Sequence, residues 1–556
     1  MSLITRLGCL TAAASAILLA GCATPPPATT GPVSVKVLAI NDFHGNLMPS
    51  AGGIRIQDPN DRSKSLTLRA GGAEHLATAV QQLREKNPNH IFVAAGDLIG
   101  ASPLLSALFK DEPTVESLSL MGLETSAVGN HEFDKGATEL LRMQNGGCAA
   151  DGCKGPAPFK GAQYRYLAAS TIVTATGKPL FPAYHVKRFQ GVPVAFIGLT
   201  LKETPTIVVP SGVEGLSFQD EADTVNALVP QLRAQGIEAI VVLIHEGGVP
   251  TGDYNECPGI SGPIVGIVKR LDPAVQLVIS GHTHRAYNCR IDGRLVTSGD
   301  KYGTIVTEID LTLDPRSGRI TDAKAQNNLV RTESFAKDPR QTALIAAYEQ
   351  LARPLAQRVV GRIGAALTQS AAPNGESALG QVIADAQLAA TRDAGAQIAL
   401  MNPGGIRAPL PMPADGQVRY ENLFSVQPFY NNLVTLTLTG AQLVQVLEQQ
   451  WAGQPSAAGR VMQVSRGFTY SWDAARPLGQ RVLADSLKVD GKPIGAADTV
   501  RVTVNGFLAT GGDNFTALKQ GRDARTGMMD IDALEAFVRA NPEIRPGTLN
   551  RVTRLN

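Results

Sequence analysis

The chain has 556 residues, of which 44% are hydrophobic and 18% charged. It is too long for one domain and apolar enough for substantial cores. With 51 basic and 49 acidic residues the formal net charge is only +2, which argues against the basic stripe of a nucleic-acid-binding surface.

The first 22 residues, "MSLITRLGCLTAAASAILLAGC", carry Arg6 and then an apolar run from Leu7 to Ala20. The run is short for a membrane span and leads straight into proline-rich chain, which is the pattern of a secretion signal. It closes on "LAGC", which resembles a bacterial lipobox. That resemblance implies a signal peptide over residues 1–21, cleavage before Cys22, and lipid on Cys22. "ATPPPATTGP" predicts a tether over residues 22–32 with no core of its own. Ala23, where Asp would favour the inner membrane, points to the outer membrane of a Gram-negative envelope, facing the periplasm. The acyl chains would be the membrane contact.

Cys9 leaves with the signal, so four cysteines remain beside the lipidated one. An even number in an exported chain predicts disulfides. "CAADGC" favours the local pair Cys148–Cys153, which leaves Cys257–Cys289, although three pairings fit the sequence.

From Val33 to about residue 310 short apolar runs end abruptly in polar, metal-ligating residues. "VSVKVLAI" meets "NDFH", "HIFVAAG" meets Asp97, and "TSAVG" meets Asn130 and His131. "EAIVVLI" meets "HEGG", and "VQLVIS" meets "GHTH". Helical patterns such as "GGAEHLATAVQQLREKN" and "EADTVNALVPQLRAQG" lie between them. Alternating strands and helices predict a layered α/β fold with ligands collected beyond the strand ends. The domain expected over residues 33–330 gives way to a linker over 331–357 with a helix, "DPRQTALIAAYEQLARPLAQRV". A second domain over 358–556 carries two glycine-rich turns, "MNPGGIRA" and "ATGGDNF".

Five of the eight histidines, His44, His131, His245, His282 and His284, fall at those strand ends with Asp42, Asp97 and Asn130. Imidazoles and carboxylates suit borderline divalent metals. Asp42 and His44 stand two apart, as do His282 and His284, a spacing that puts both side chains on one side of an extended strand end. Asp97 is placed to bridge two ions. Ions roughly 3.5–4 Å apart can hold both the attacking and the leaving oxygen of an in-line displacement.

These motifs, D-x-H, G-D, G-N-H-E, H-E-G and G-H-T-H in this order, resemble the calcineurin-type metallophosphoesterase signature. "NDFHGNL", "AAGDLIGASP", "VGNHEFDKG" and "SGHTH" are similar to the 5′-nucleotidase family. The resemblance implies a four-layer α/β/β/α catalytic domain and a smaller α/β substrate-binding domain. It implies one divalent ion on Asp42, His44, Asp97 and His284, and a second on Asp97, Asn130, His245 and His282. The ions would be Mn, Zn, Co, Fe or Mg. It implies that His131 stabilises or protonates the leaving side, with Asp134 orienting its ring and raising its pKa. Glu132 is expected to make a local structural hydrogen bond.

In the second domain the resemblance implies that Asn402 and Arg407 of "NPGGIR" contact the nucleotide. It also implies that Phe429 and Phe507 sandwich the base, that Asp513 accepts from the ribose hydroxyls, and that Asn431 lines the pocket. One departure stands out: Gly375 occupies a position where some relatives have Arg, and Gln381 one where Asn is common. The expected protein is an exported, lipid-anchored, monomeric 5′-nucleotidase. It would act on nucleoside 5′-phosphates, and its range would extend to UDP-sugars, dinucleotides or 2′,3′-cyclic nucleotides. A thiosulfonate hydrolase of the same superfamily and a non-catalytic surface-binding lipoprotein are the alternative readings.

Overall fold

The structure, a computed structural model, describes residues 31–452 and 459–556. The signal peptide, Cys22 and the tether as far as residue 30 lie outside the described residues. Among the described residues no helix is long and apolar enough to cross a membrane.

The first domain is built on two six-stranded sheets. In one, Val33–Ile40 runs antiparallel to Ile305–Leu313 and parallel to His90–Ala95, which in turn pairs with Thr125–Ala127. In the other, Val192–Thr200, Ala239–His245 and Val275–Ser280 run parallel side by side. Their inner faces meet in one buried cluster that includes Val35, Val37 and Val93 from the first sheet and Phe196, Val241 and Leu277 from the second. Strands covered on both faces read as continuous apolar runs, which is why "AIVVLI" shows no alternation. The helices Ala73–Arg84 and Glu112–Met121 cover the outer face of the first sheet, and Glu221–Ala234 and Pro263–Arg270 cover the second. The result is the expected four-layer α/β/β/α sandwich. The parallel strands release their chain at the same edge, so the polar residues that follow them converge.

The helix Pro339–Ala356 starts at Asp338, whose carboxylate accepts from the backbone N–H of Arg340 and Gln341. Gln341 is fully buried and exchanges hydrogen bonds with Ser117, 2.7 and 3.0 Å, on the first-domain helix Glu112–Met121. The second domain has a five-stranded sheet in the order Gln463–Val464, Ile398–Met401, Thr499–Asn505, Asn432–Thr439, Arg522–Met529. The helix Ala378–Ala390 begins at Ser377, whose hydroxyl caps the N–H of Gly380. Leu104 of the first domain packs into the second domain's cluster with Ile383 and Phe424. The two domains therefore share packed surface.

Both cysteine pairs are disulfide-bonded, Cys148 to Cys153 and Cys257 to Cys289. The second ties the loop after His245 to the strand that follows His284.

Candidate active site

The polar residues expected at the strand ends do converge, but not for the reason of extended spacing. The strands stop at Ile40, Ala95 and Ser280. Asp42, His44, Asp97, His282 and His284 all lie beyond them with φ between 47° and 69°. The extended-strand geometry expected for the two i, i+2 pairs is thus corrected: left-handed turns, not pleats, aim these side chains. For residues other than glycine that conformation costs of order 1 kcal/mol each, and such strain gathers at functional sites. Two glycines make room for it. A Cβ on Gly129 would sit 2.1 Å from Asp97 Oδ1, and one on Gly96 (φ +81°) would sit 2.8 Å from His245 Nδ1.

Among the described residues, three overlapping groups have ligating atoms close enough for a metal: Asp42 with His44 and His284, His44 with Asp97 and His131, and Asp97 with His245 and His282. Their hydrogen bonds fix which nitrogen faces inward. His44 Nδ1 lies 2.9 Å from the Gly100 carbonyl and His245 Nδ1 lies 2.8 Å from the Ala95 carbonyl. A carbonyl only accepts, so each Nδ1 carries a proton and each Nε2 is the ring atom left to face a cation. Both Nε2 atoms lie against further ligating atoms. His44 Nε2 is 3.1 Å from His284 Nε2, and His245 Nε2 is 2.9 Å from Asp97 Oδ2 without an aligned hydrogen bond. Asn130 Oδ1 is likewise buried and unpartnered. Converging buried nitrogen and oxygen atoms able to donate electron pairs fit divalent cations.

The electrostatics agree. Burial holds His44 and His284 well below the ordinary imidazole pKa, and burial with the field of His245 takes His282 to about 4, so these three stay neutral. Burial also opposes charge on His245, yet the Asp97 carboxylate raises its pKa to about 10. The pocket around Asp97 is set to hold positive charge.

His131 sits at the edge of this cluster, with its ring 5.0 Å from that of His44. Its Nδ1 is 2.8 Å from Asp134 Oδ2. Burial disfavours its charged form, but the charges of Asp134 and Asp97 outweigh that and raise its pKa.

The cluster opens into a cleft of about 930 Å³ lined by both domains. On the far wall lie Asn402, Arg407, Phe429, Asn431, Phe507 and Asp513. Phe429 stacks on His131 across the cleft, with ring centroids 5.9 Å apart. Arg407 lies 5.9 Å from the Phe429 centroid, its Nε and Nη2 buried without partners. Asn402 donates to Asp513 at 2.7 Å. Asn431 also lines the cleft, but its side chain donates to Asp530 at 3.4 Å.

Residues 35–286 match the calcineurin-like phosphoesterase family and residues 358–520 match the 5′-nucleotidase C-terminal domain. The chain joins a calcineurin-like phosphoesterase domain to a 5′-nucleotidase C-terminal domain. It is 31% identical over 513 residues to the endonuclease YhcR of Bacillus subtilis (strain 168), covering 92% of this chain and 40% of that one. It is 30% identical to the cell wall protein Lmo0130 of Listeria monocytogenes, covering 89% of this chain and 66% of that one. The chain thus spans less than two thirds of either relative. Among solved structures, the 5′-nucleotidase precursor from Thermus thermophilus superposes with a TM-score of 0.77 at 28% identity, over 94% of this chain and 99% of that one.

The candidate site also draws on residues to which the sequence assigns no role in it. Asn41 donates to Asp42 Oδ2 at 2.7 Å and to the Asp300 carbonyl at 2.6 Å, while its own Oδ1 accepts from Gly299 at 2.7 Å. It fixes the rotation of Asp42. The only signal for it in the sequence is its place beside Asp42 in "NDFH". Asn41→Ala is expected to weaken divalent-metal binding by about tenfold to a hundredfold, read by titration of the metal-depleted protein. Unchanged affinity would show that Asp42 needs no such support. Glu132 does more than make one local bond. Its carboxylate accepts from the backbone of Gly129, Asp97 and Leu98 at 2.7 to 3.0 Å, and from Ile99 at 3.4 Å.

Proposed function

We propose that the chain is an exported dinuclear-metal 5′-nucleotidase that hydrolyses nucleoside 5′-phosphates to nucleoside and phosphate. One observation carries the reading. A single cleft has the histidine–aspartate cluster on its first-domain wall and Phe429, Phe507 and Asp513 on its second-domain wall, together with the unpaired donors of Arg407. The Arg407 charge acts on His44, His131 and His284, so it reaches the cluster.

Asp42, His44, Asp97 and His284 would hold one ion, and Asp97, Asn130, His245 and His282 the other. When bound, the ions would neutralise the phosphoryl oxygens and lower the pKa of the attacking water. His131, kept cationic by Asp134, would donate to the phosphoryl oxygens and the leaving side. Arg407 would bind the same anion through its planar fork. Phe429 and Phe507 offer π faces that tolerate any base, a feature that favours a nucleotide over a thiosulfonate. The segment 331–357 is our candidate for the hinge between the domains. The two disulfides fit an oxidising compartment and support export, with Cys22 as the lipid anchor.

The test is release of phosphate from AMP, UMP, UDP-glucose and NAD by the chain from residue 23 onward, with Mn²⁺ and with EDTA. Single-stranded DNA belongs in the same panel because one relative is named an endonuclease. We expect metal-dependent release from the monophosphates. Intact nucleotides in the presence of bound metal would exclude the reading.

A further inference from the structure

Residues 100–111 of the first domain run from the histidine–aspartate cluster to the second domain and back. At the start of this segment the Gly100 carbonyl accepts from His44 Nδ1 at 2.9 Å. Gly100 is also pressed against the His131–Asp134 pair: a Cβ there would lie 2.6 Å from the His131 carbonyl oxygen and 2.8 Å from Asp134 Oδ2. Ser102 is buried against the residue after His44, where a Cβ on Gly45 would sit 2.4 Å from the Ser102 Oγ. At the end of the segment the buried Asp111 accepts from Lys135 at 3.1 Å and from Ser106 at 2.8 Å. Lys135 follows Asp134 in the chain, so both ends of the segment close on the same turn.

The middle of the segment is held from outside the first domain. Leu104 is buried in the second domain's apolar cluster, and its short helix Leu104–Ala107 packs against the second-domain helix Tyr420–Val426. Phe109 makes an edge contact with Tyr348 of the helix Pro339–Ala356, with ring centroids 4.9 Å apart. Ala101, Lys110 and Asp111 have φ of +48°, +56° and +69°. Residues other than glycine keep that conformation only where their surroundings impose it. The shape of the segment therefore depends on what grips its middle.

We propose that Leu104 is a positioning residue: seated in the second domain, it holds the Gly100 turn against His44 and the His131–Asp134 pair. The role rests on the dinuclear reading of the cluster given above. Only Ala101, Ser102 and Pro103 separate Leu104 from Gly100. The first is in left-handed backbone, the second is buried and the third has its φ fixed by its ring, so little slack lies between the apolar knob and the carbonyl. If the knob loses its seat, the carbonyl moves and the His44 ring loses the acceptor that orients it. Loss of such an outer partner weakens a metal site. A contact that merely docked the two domains would act differently, and would alter only the turnover of substrates that touch both walls.

The test compares the wild type with Leu104→Ala, Leu104→Met and Phe424→Leu, each as the chain from residue 23 onward and with its thermal midpoint recorded. Two quantities are read: the Mn²⁺ affinity of the EDTA-stripped protein, and kcat for p-nitrophenyl phosphate, a small ester with no base to bind. Leu104→Ala is expected to weaken one Mn²⁺ equivalent by about tenfold and to lower kcat for the aryl phosphate by a similar factor. Leu104→Met keeps the volume and is expected to stay near wild type. Phe424→Leu trims the seat from the second-domain side and is expected to reproduce part of the loss; it decides the matter if Leu104→Ala does not fold. Folded variants that keep wild-type Mn²⁺ affinity and aryl-phosphate turnover, and lose only AMP hydrolysis, would overturn the proposal and leave the cluster reading standing. If the wild type itself binds no Mn²⁺, the cluster reading falls and the proposal falls with it.

Discussion

Asp97→Asn should reduce metal-dependent phosphate release by about a thousandfold or more, the scale of removing an electrostatic element at the reacting centre. Asp97 is 1% exposed and belongs to two of the three groups able to hold a metal. Its Oδ2 lies 2.9 Å from His245 Nε2 and 3.6 Å from His44 Nε2, while its Oδ1 accepts from the N–H of His131 at 2.9 Å. Asparagine preserves this shape and removes one negative charge between the two ligand sets. His245 would then lose the field that raises its pKa. The measurement is kcat together with metal content by elemental analysis. A variant within tenfold of wild type that retains its metal would show that Asp97 does not join the two sites.

Glu132→Ala should destabilise the fold by about 3–5 kcal/mol and weaken metal binding as well. Glu132 is 2% exposed, and its two oxygens take N–H groups from residues 97–99 and from Gly129. Those donors belong to the two turns that carry Asp97 and Asn130. Alanine would leave buried N–H groups without partners and free the Asp97 turn to relax out of its left-handed conformation. Glu132→Gln retains one acceptor oxygen and should recover part of the loss. Thermal midpoint and metal affinity measured on both variants check this. A loss under about 1 kcal/mol for Glu132→Ala would mean that the turns hold themselves.

The candidate site was legible in the sequence because Asp42, His44, Asp97, Asn130, His282 and His284 closely follow apolar strands and His245 ends one, and parallel strands end on one edge. The second-domain residues were legible only through resemblance; a single Phe429 or Asn402 has no spacing that marks it. What escaped the sequence was long-range geometry. The left-handed backbone at Asp42, His44 and His284 comes from turns packed against one another, and no local residue pattern announces it. Glu132 bonds residues 33 to 35 positions away, so the expectation of a local bond covered only its contact with Gly129. The ion pair between Arg460 and Asp513 in the cleft wall spans 53 positions. The cysteine pairing, with three solutions in the sequence, was settled by which strands and loops meet in space.

The most direct test of the central claim is back-titration. The protein is stripped with EDTA, Mn²⁺ is returned in measured equivalents, and phosphate release from AMP is followed. The account predicts no release by the stripped protein and recovery that completes only when a second equivalent binds. Release that survives stripping, or two bound equivalents with AMP untouched, would contradict it.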